Sequence, residues 1–231
     1  MLLFAASAHA ADSVYRLPWP EGLTFRFERP PGGLLVRHPG PEARYAVDIS
    51  MPVGTAVLAA REGVVQSVEA RMSRHMDPPP TKHGNFVRIR HADGSVALYA
   101  HLRQGGVVVK PGEWVARGQL LGYSGATGNT VDPLLHFCVT QPSGAGAPAD
   151  VPVPFRFTVG VPPIEFTPRA SEYVRANYSS RAEPPYSTLD PSRGYAPPPP
   201  LVPEERRFGL IEIAGLVAAG LAGLAWLGRR S

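Results

Sequence analysis

The sequence of 231 residues has a single cysteine, Cys138, and only 18 % charged residues. One cysteine excludes an intramolecular disulfide and any zinc site built from several thiolates. No segment combines clustered basic residues with aromatic ones, so we expect no nucleic-acid partner. The small net charge of +4 is compatible with ordinary solubility and with an anionic surface such as a cell wall or lipid headgroups.

Turn-forming residues are abundant, with 27 prolines and 24 glycines. Short apolar and alternating segments lie between them, as in residues 86–90, and Asp93-Gly94 is a typical hairpin turn. The pattern predicts an all-β fold: a compact antiparallel β-sheet domain over residues 41–180, with its core at 41–140. Residues 11–40 are predicted to be a lead-in segment, and residues 71–82, with three successive prolines, an inserted surface loop.

Both ends of the chain carry apolar segments. Residues 1–10 end in an Ala-x-Ala-like site, which predicts a signal peptide and therefore export. Residues 181–207 are a predicted Pro-rich linker. Residues 208–228 are long and apolar enough for a transmembrane helix, followed by a short tail, 229–231. We therefore expect a periplasmic or extracytoplasmic domain anchored to the membrane by the C-terminal helix. A removable sorting tail is the alternative for that segment.

Three short segments carry the polar side chains of interest: residues 44–48, 99–102 and 134–137. Side chains two residues apart in a strand share a face. In the third segment, Leu135 and Phe137 form an apolar face that continues to Val139. His136 therefore points the other way, with Leu134, into a presumed groove.

The same periodicity places Tyr99 and His101 on one face of the second segment. In the first segment, Asp48 lies between apolar neighbours, and an inward-facing carboxylate is costly without a partner. We predict that Asp48, His101 and His136 share one pocket. Arg44 is a candidate partner for Asp48, because a guanidinium pairs well with a carboxylate.

Taken in order, these segments resemble the lysostaphin/LytM-type zinc metallopeptidases, which cut peptide bonds in bacterial cell-wall peptidoglycan. The family pattern is H-x-x-x-D, a lone His in a Tyr-x-His-Leu-like strand, and P-H-L-H-F. Further matching segments lie at family-like spacing: Pro52-x-Gly54-Thr55-x-Val57, Gly63-Val64-Val65 and Ser124-Gly125-x-Thr127-Gly128. The resemblance covers residues 41–140 and implies a LytM-type fold.

The resemblance also implies roles for individual residues. Asp48 and His136 correspond to zinc ligands, and His101 to the assisting catalytic histidine. Arg44 stands where the family has its first histidine ligand, and Leu134 where it has a second assisting histidine. Arginine offers no lone pair for zinc, and leucine takes no part in proton transfer, so the site is partly degenerate.

Two functions remain open. In the first, the domain has lost zinc and binds peptidoglycan peptides or regulates a cell-wall hydrolase. In the second, His38 folds back across the turn at residues 39–41 and supplies the third ligand of a working zinc endopeptidase. The first is favoured because two of five site positions are chemically incompetent. Whether the chain is an enzyme depends on this choice.

Two other histidines near the Pro-rich insertion, His75 and His83, are predicted to be solvated. His91 precedes the Asp93-Gly94 turn and is predicted to shape it.

Overall fold

The computed structural model describes residues 13–29, 44–73, 82–143 and 150–180. These residues contain β-strands and turns and no α-helix, so the domain is all-β. The strands are β1 (Ser13–Arg16), β2 (Thr24–Arg29), β3 (Val47–Ser50), β4 (Ala56–Leu58), β5 (Gly63–Glu69), β6 (Asn85–Arg90), β7 (Val96–Val107), β8 (Trp114–Val115), β9 (Leu120–Ser124), β10 (Leu134–Gln141), β11 (Val151–Pro152), β12 (Phe155–Val159), β13 (Ile164–Phe166) and β14 (Tyr173–Arg175).

Several predicted features lie outside the described residues. They are the signal peptide, most of the inserted loop, the Pro-rich linker, the C-terminal helix and His38. Within the described residues, no helix is long and apolar enough to cross a membrane.

The larger sheet contains eleven strands and is antiparallel throughout. Its main path runs β14-β2-β3-β10-β7-β6-β5-β8, with β11, β4 and β9 attached beside it. Strand β10 lies between β3 and β7, which are the strands that contain Asp48 and the Tyr99-x-His101 segment. The register of β10 therefore decides which polar side chains meet.

The smaller sheet has the order β1-β12-β13. Strand β12 pairs antiparallel with β13. Strands β1 and β12 run parallel, which differs from the purely antiparallel prediction. Parallel neighbours need a long connection, and most of the domain's sequence separates these two strands.

An aromatic core lies behind β10. Phe137 is fully buried, and four rings contact its own within 5.7 Å between centroids: Tyr15, Tyr99, Phe155 and Phe157. The predicted apolar face of this strand, Leu135, Phe137 and Val139, is completely buried. These contacts fix the orientation of β10 and direct its alternate side chains to the opposite face.

The described part of the predicted lead-in segment belongs to this core. Tyr15, Leu17 and Trp19 are buried, and β2 pairs with β3 in the larger sheet. The Trp19 indole N–H donates to the Leu23 carbonyl at 3.0 Å. Residues 13–29 therefore form part of the domain and do not merely precede it, because their aromatic side chains fill the space between the sheets.

This placement predicts a large effect of the Trp19→Ala substitution. Removing a fully buried indole leaves a cavity, so the free energy of unfolding should fall by about 3–5 kcal/mol. The matched control is Trp114→Ala, because the Trp114 side chain is 61 % exposed and its removal should change stability by less than about 0.5 kcal/mol. Urea unfolding of the two variants provides the measurement, and equal small effects would contradict the placement of residues 13–29 in the core.

Candidate functional site

The pairing of β3 with β10 brings Asp48 directly opposite His136. The His136 Nδ1–H donates to the Asp48 Oδ1 at 2.7 Å. His136 is 6 % exposed, so this contact is largely shielded from water. The structure thus brings together two of the residues that the sequence assigned to one pocket.

The His136 imidazole is held in its charged form. Burial by itself lowers the pKa of His136, but the hydrogen bond to Asp48 and the neighbouring Cys138 outweigh it and raise the pKa to about 9. At neutral pH the pair is therefore an imidazolium–carboxylate ion pair. The Nδ1 proton of His136 joins the two side chains.

His101 reaches the same place by a different route from the one that strand periodicity predicts. In the pairing of β6 with β7, Asn85 lies opposite Leu102 and Phe86 opposite Ala100, which leaves His101 as the extra residue of a bulge. Its φ is +65°, in the left-handed region that residues with a Cβ seldom adopt. The bulge directs the ring toward His136, with 5.9 Å between ring centroids.

The prediction that Tyr99 and His101 share a face was therefore wrong. Tyr99 packs in the core against Phe137, and its hydroxyl accepts a hydrogen bond from the Ala60 N–H at 2.9 Å. One extra residue in a bulge inverts the alternation that follows it. His101 and His136 meet because of that inversion.

Backbone contacts fix the His101 ring. Its Nδ1–H donates to the Thr127 carbonyl at 2.7 Å, which places the proton of the neutral ring on Nδ1 and the lone pair on Nε2. The Thr127 hydroxyl donates to the Leu102 carbonyl and accepts from the Asn85 N–H. Gly84 packs so closely on Thr127 that an added Cβ would lie 2.4 Å from its backbone, so this contact requires glycine.

His83 is a site residue that the sequence interpretation missed. It was predicted to be solvated, but it is half-buried and its ring stacks on that of His136, with centroids 6.1 Å apart and planes at 29°. Its backbone carbonyl accepts a hydrogen bond from the His101 N–H at 2.9 Å. Burial, followed by the charge of His136, lowers the pKa of His83 to about 3, so the ring is neutral at physiological pH.

One sequence feature could have identified His83 as a site residue. It lies immediately before Gly84-Asn85, at the start of the strand that pairs beside His101. By contrast, His91 does shape its turn as predicted. Its backbone N–H donates to the Ser95 carbonyl and its carbonyl accepts from the Gly94 N–H.

The two degenerate positions, Arg44 and Leu134, differ in their surroundings. Arg44 is exposed, and its guanidinium lies over the Tyr45 ring, 5.5 Å from the centroid. Within the described residues Arg44 forms no ion pair with Asp48, whose carboxylate contacts His136, so the predicted Arg44–Asp48 pairing was wrong. Leu134 is half-buried opposite Ser50.

Residues 42–150 match the model of Peptidase family M23. This part of the chain is a Peptidase M23 domain.

The names of curated relatives of the M23 domain refer to peptidoglycan or to cell division. Peptidoglycan DD-endopeptidase ShyC of Vibrio cholerae is 35 % identical over 96 residues, which is 42 % of this chain and 20 % of that protein. Cell division protein DipM of Caulobacter vibrioides is 37 % identical over 91 residues, 39 % of this chain and 13 % of DipM. The chain therefore spans a fifth or less of the length of these relatives.

Among solved structures, lysostaphin from Staphylococcus simulans resembles the chain at 31 % sequence identity. The likeness covers 52 % of this chain and 44 % of lysostaphin, with a TM-score of 0.40.

Peptidases of this family typically depend on zinc, so the donor set of the M23 domain is informative. Asp48 and His136 provide two donors, one fewer than a catalytic zinc usually takes from the protein. In the described part of the chain, no group of three or more His, Cys, Asp or Glu side chains is arranged to hold a metal ion. An ion bound by both residues would need their contact atoms roughly 3.3 Å apart, the separation of tetrahedral ligands at bonds of about 2 Å, and would displace the His136 proton. The described residues alone do not fit a catalytic zinc.

The ion pair predicts a pH-dependent stability of the metal-free protein. The folded state raises the pKa of His136 to about 9. The contribution of the ion pair to the free energy of unfolding is therefore fully present below the unfolded-state pKa of about 6.5, and it is lost as the pH rises through about 9. The difference in unfolding free energy between the natural protein and Asp48→Asn should therefore shrink across this window. Urea unfolding with a chelator, from pH 6 to pH 10, measures it.

The matched control for this measurement is Asp132→Asn at an exposed position. Its stability should follow that of the natural protein at every pH. A difference between the natural protein and Asp48→Asn that stays constant from pH 6 to pH 10 would show that His136 is not charged by its contact with Asp48.

Proposed function

We propose that the M23 domain is a degenerate module that binds peptidoglycan peptides or regulates a cell-wall hydrolase, and does not itself hydrolyse peptide bonds. The observation that carries this proposal is the direct contact of Asp48 with His136 at 2.7 Å. The resemblance assigns both residues as zinc ligands, and it aligns Arg44 with the third ligand of the family.

The electrostatics of the pair support weak zinc binding. Zinc must displace a proton from an imidazole whose pKa is raised to about 9, and only two donors compensate for that loss. Arg44 places a permanent positive charge at the position where the resemblance implies a neutral histidine ligand, which disfavours a divalent cation. Zinc is therefore not a resident cofactor in this proposal.

Leu134 supports the loss of hydrolysis by a separate route. A general acid or base contributes about 10²–10⁴-fold to a rate, and a leucine side chain transfers no proton. His101 remains with its proton on Nδ1, but the second assisting histidine of the family has no equivalent at position 134. The chemistry is thus impaired even if a metal is supplied.

A peptide-binding role agrees with the polar side chains that remain on the sheet face around His136. The polar face of β10 and its neighbours is retained, and the relatives include peptidoglycan endopeptidases and a cell division protein by name. A groove that holds a wall peptide without cutting it can present or sequester that peptide, or dock a hydrolase. The predicted signal peptide, linker and C-terminal helix complete the proposal: an exported domain tethered to the membrane and facing the wall.

The second candidate is an active zinc endopeptidase with His38 as the third ligand. The observation that favours it is the fixed His101 ring, whose Nδ1–H is held by the Thr127 carbonyl at 2.7 Å. Such second contacts are typical of histidines whose other ring nitrogen serves a function. His38 lies outside the described residues.

Substitutions at the two degenerate positions distinguish these functions. We expect the natural protein to show no cleavage of purified peptidoglycan, and His38→Ala to behave in the same way. Arg44→His combined with Leu134→His restores the missing donor and the missing proton-transfer group, so this double variant should bind zinc at least 10-fold more tightly than the natural protein. Zinc titration and release of soluble wall fragments are the two measurements.

The control is Arg90→His, which places a new histidine on an exposed part of β6 and should leave zinc affinity unchanged. Cleavage by the natural protein that disappears in His38→Ala would overturn the proposal and assign His38 as the third ligand.

A further inference from the structure

A cavity opens on the sheet face that carries His136, farther along β10 from Asp48. It has a volume of about 340 Å³, within the range of small-ligand sites. Seven residues line it: His83, Arg88, Val96, Leu98, Cys138, Thr140 and Asp150. His83 stacks on His136 and also lines the cavity, so one side chain joins the cavity to the site.

The strand register explains why these residues converge. Cys138 lies opposite Leu98, and Leu98 lies opposite Arg88, in the adjacent strands β10, β7 and β6. Directly opposed residues point to the same face of a sheet. His136, two residues before Cys138 on β10, lies on the same face in the neighbouring row, opposite Ala100. The cavity therefore lies near the Asp48–His136 pair on the same face of the sheet.

The floor and the wall of the cavity differ in chemistry. Val96, Leu98 and Cys138 are buried and form an apolar floor. Arg88 supplies a permanent positive charge at the wall, and its guanidinium lies over the Phe86 ring, 5.5 Å from the centroid. The side chain is thus held in place by an aromatic contact.

Arg88 has no anionic partner in the part of the chain that the structure describes. No described carboxylate forms an ion pair with it, and its Nε–H is enclosed without a hydrogen-bond acceptor. Asp150 lines the same cavity but is exposed. Such a guanidinium in a concave, partly apolar site favours a carboxylate, with which it forms paired charge-assisted hydrogen bonds.

We propose that Arg88 is the carboxylate-binding residue of a peptide subsite in this cavity, and that the ligand is a peptide with a free terminal carboxylate and a small apolar last side chain. This proposal rests on the proposed peptide-binding function. It adds the orientation of the bound peptide and the position of its C-terminal residue. Strand β6 lies two strands from β10, about 10 Å away. An extended peptide spans that distance in about three residues, so the carboxylate lies about three residues from the segment over Asp48 and His136.

The test uses the full-length protein and two synthetic peptidoglycan stem peptides. One peptide ends in a free carboxylate, and the other is identical but ends in a carboxamide. We expect the natural protein to bind the carboxylate form at least 10-fold more tightly, as is typical for a charge-assisted contact. Arg88→Gln should lose this preference, and Arg88→Lys, which keeps the charge but not the fork, should retain only part of it.

The matched control is Arg90→Gln, two residues along the same strand and outside the cavity lining. It removes the same charge and should keep the full preference for the carboxylate form. Urea unfolding of each variant shows whether a loss of binding reflects a loss of fold. If Arg88→Gln is unstable, the preference of Arg88→Lys for the carboxylate form tests the proposal instead.

The outcomes separate this subsite from the proposed function. Failure of the natural protein to bind either peptide contradicts both peptide binding and the subsite. Equal affinity for the two peptides contradicts the subsite alone. An equal loss of preference in Arg90→Gln would show a general effect of positive charge and would also overturn the role of Arg88.

Discussion

The hydrogen-bonded contact between Asp48 and His136 is the interaction on which the account of this M23 domain depends. It joins the two central strands β3 and β10 across the groove face, at 2.7 Å and largely away from water. Breaking one partner of such a buried pair leaves an uncompensated charge, which is strongly destabilising. By resemblance to the lysostaphin/LytM-type peptidases, Asp48 and His136 correspond to two of the zinc ligands of that family.

The pair is placed by the aromatic core on the other side of the same strand. Phe137 packs among Tyr15, Tyr99 and Phe157. Because neighbouring side chains of a strand point to opposite faces, His136 lies on the face opposite the aromatic core. Residues 13–29 contribute to that packing, so a segment far from the groove in sequence helps to set the position of His136. The fold and the site are therefore coupled through the period of a single strand.

Much of this arrangement follows from the sequence. The apolar alternation at residues 135–139 predicts the orientation of β10, and the cost of an inward carboxylate predicts a partner for Asp48. The identity of that partner was not predictable, because His136 and Arg44 both satisfy the charge and only the register of β3 with β10 selects between them. Strand alternation is local, whereas register is set by contacts between distant segments.

His101 and His83 show where local patterns fail. A bulge at His101 inverts the alternation of β7, and no residue type in that segment requires a bulge. His83 enters the groove because Gly84 docks on Thr127, a contact between segments more than 40 residues apart in sequence. The parallel pairing of β1 with β12 has the same origin, since nothing in either strand specifies the direction of its neighbour.

One face of the sheet therefore combines a charged pair, two further histidines and an arginine that has no anionic partner among the described residues. In the function proposed above, this composition serves the recognition of a peptide and not the activation of water. A binding module and a zinc hydrolase differ most clearly in whether they bind zinc. The distance between Asp48 and His136, and any ion between them, therefore tests the proposed function directly.

A crystal structure grown with equimolar zinc, with anomalous scattering collected at the zinc absorption edge, is the most direct test. We expect no zinc peak between Asp48 and His136, whose contact remains a direct hydrogen bond. A zinc peak within bonding distance of both residues and of a third protein donor would contradict it.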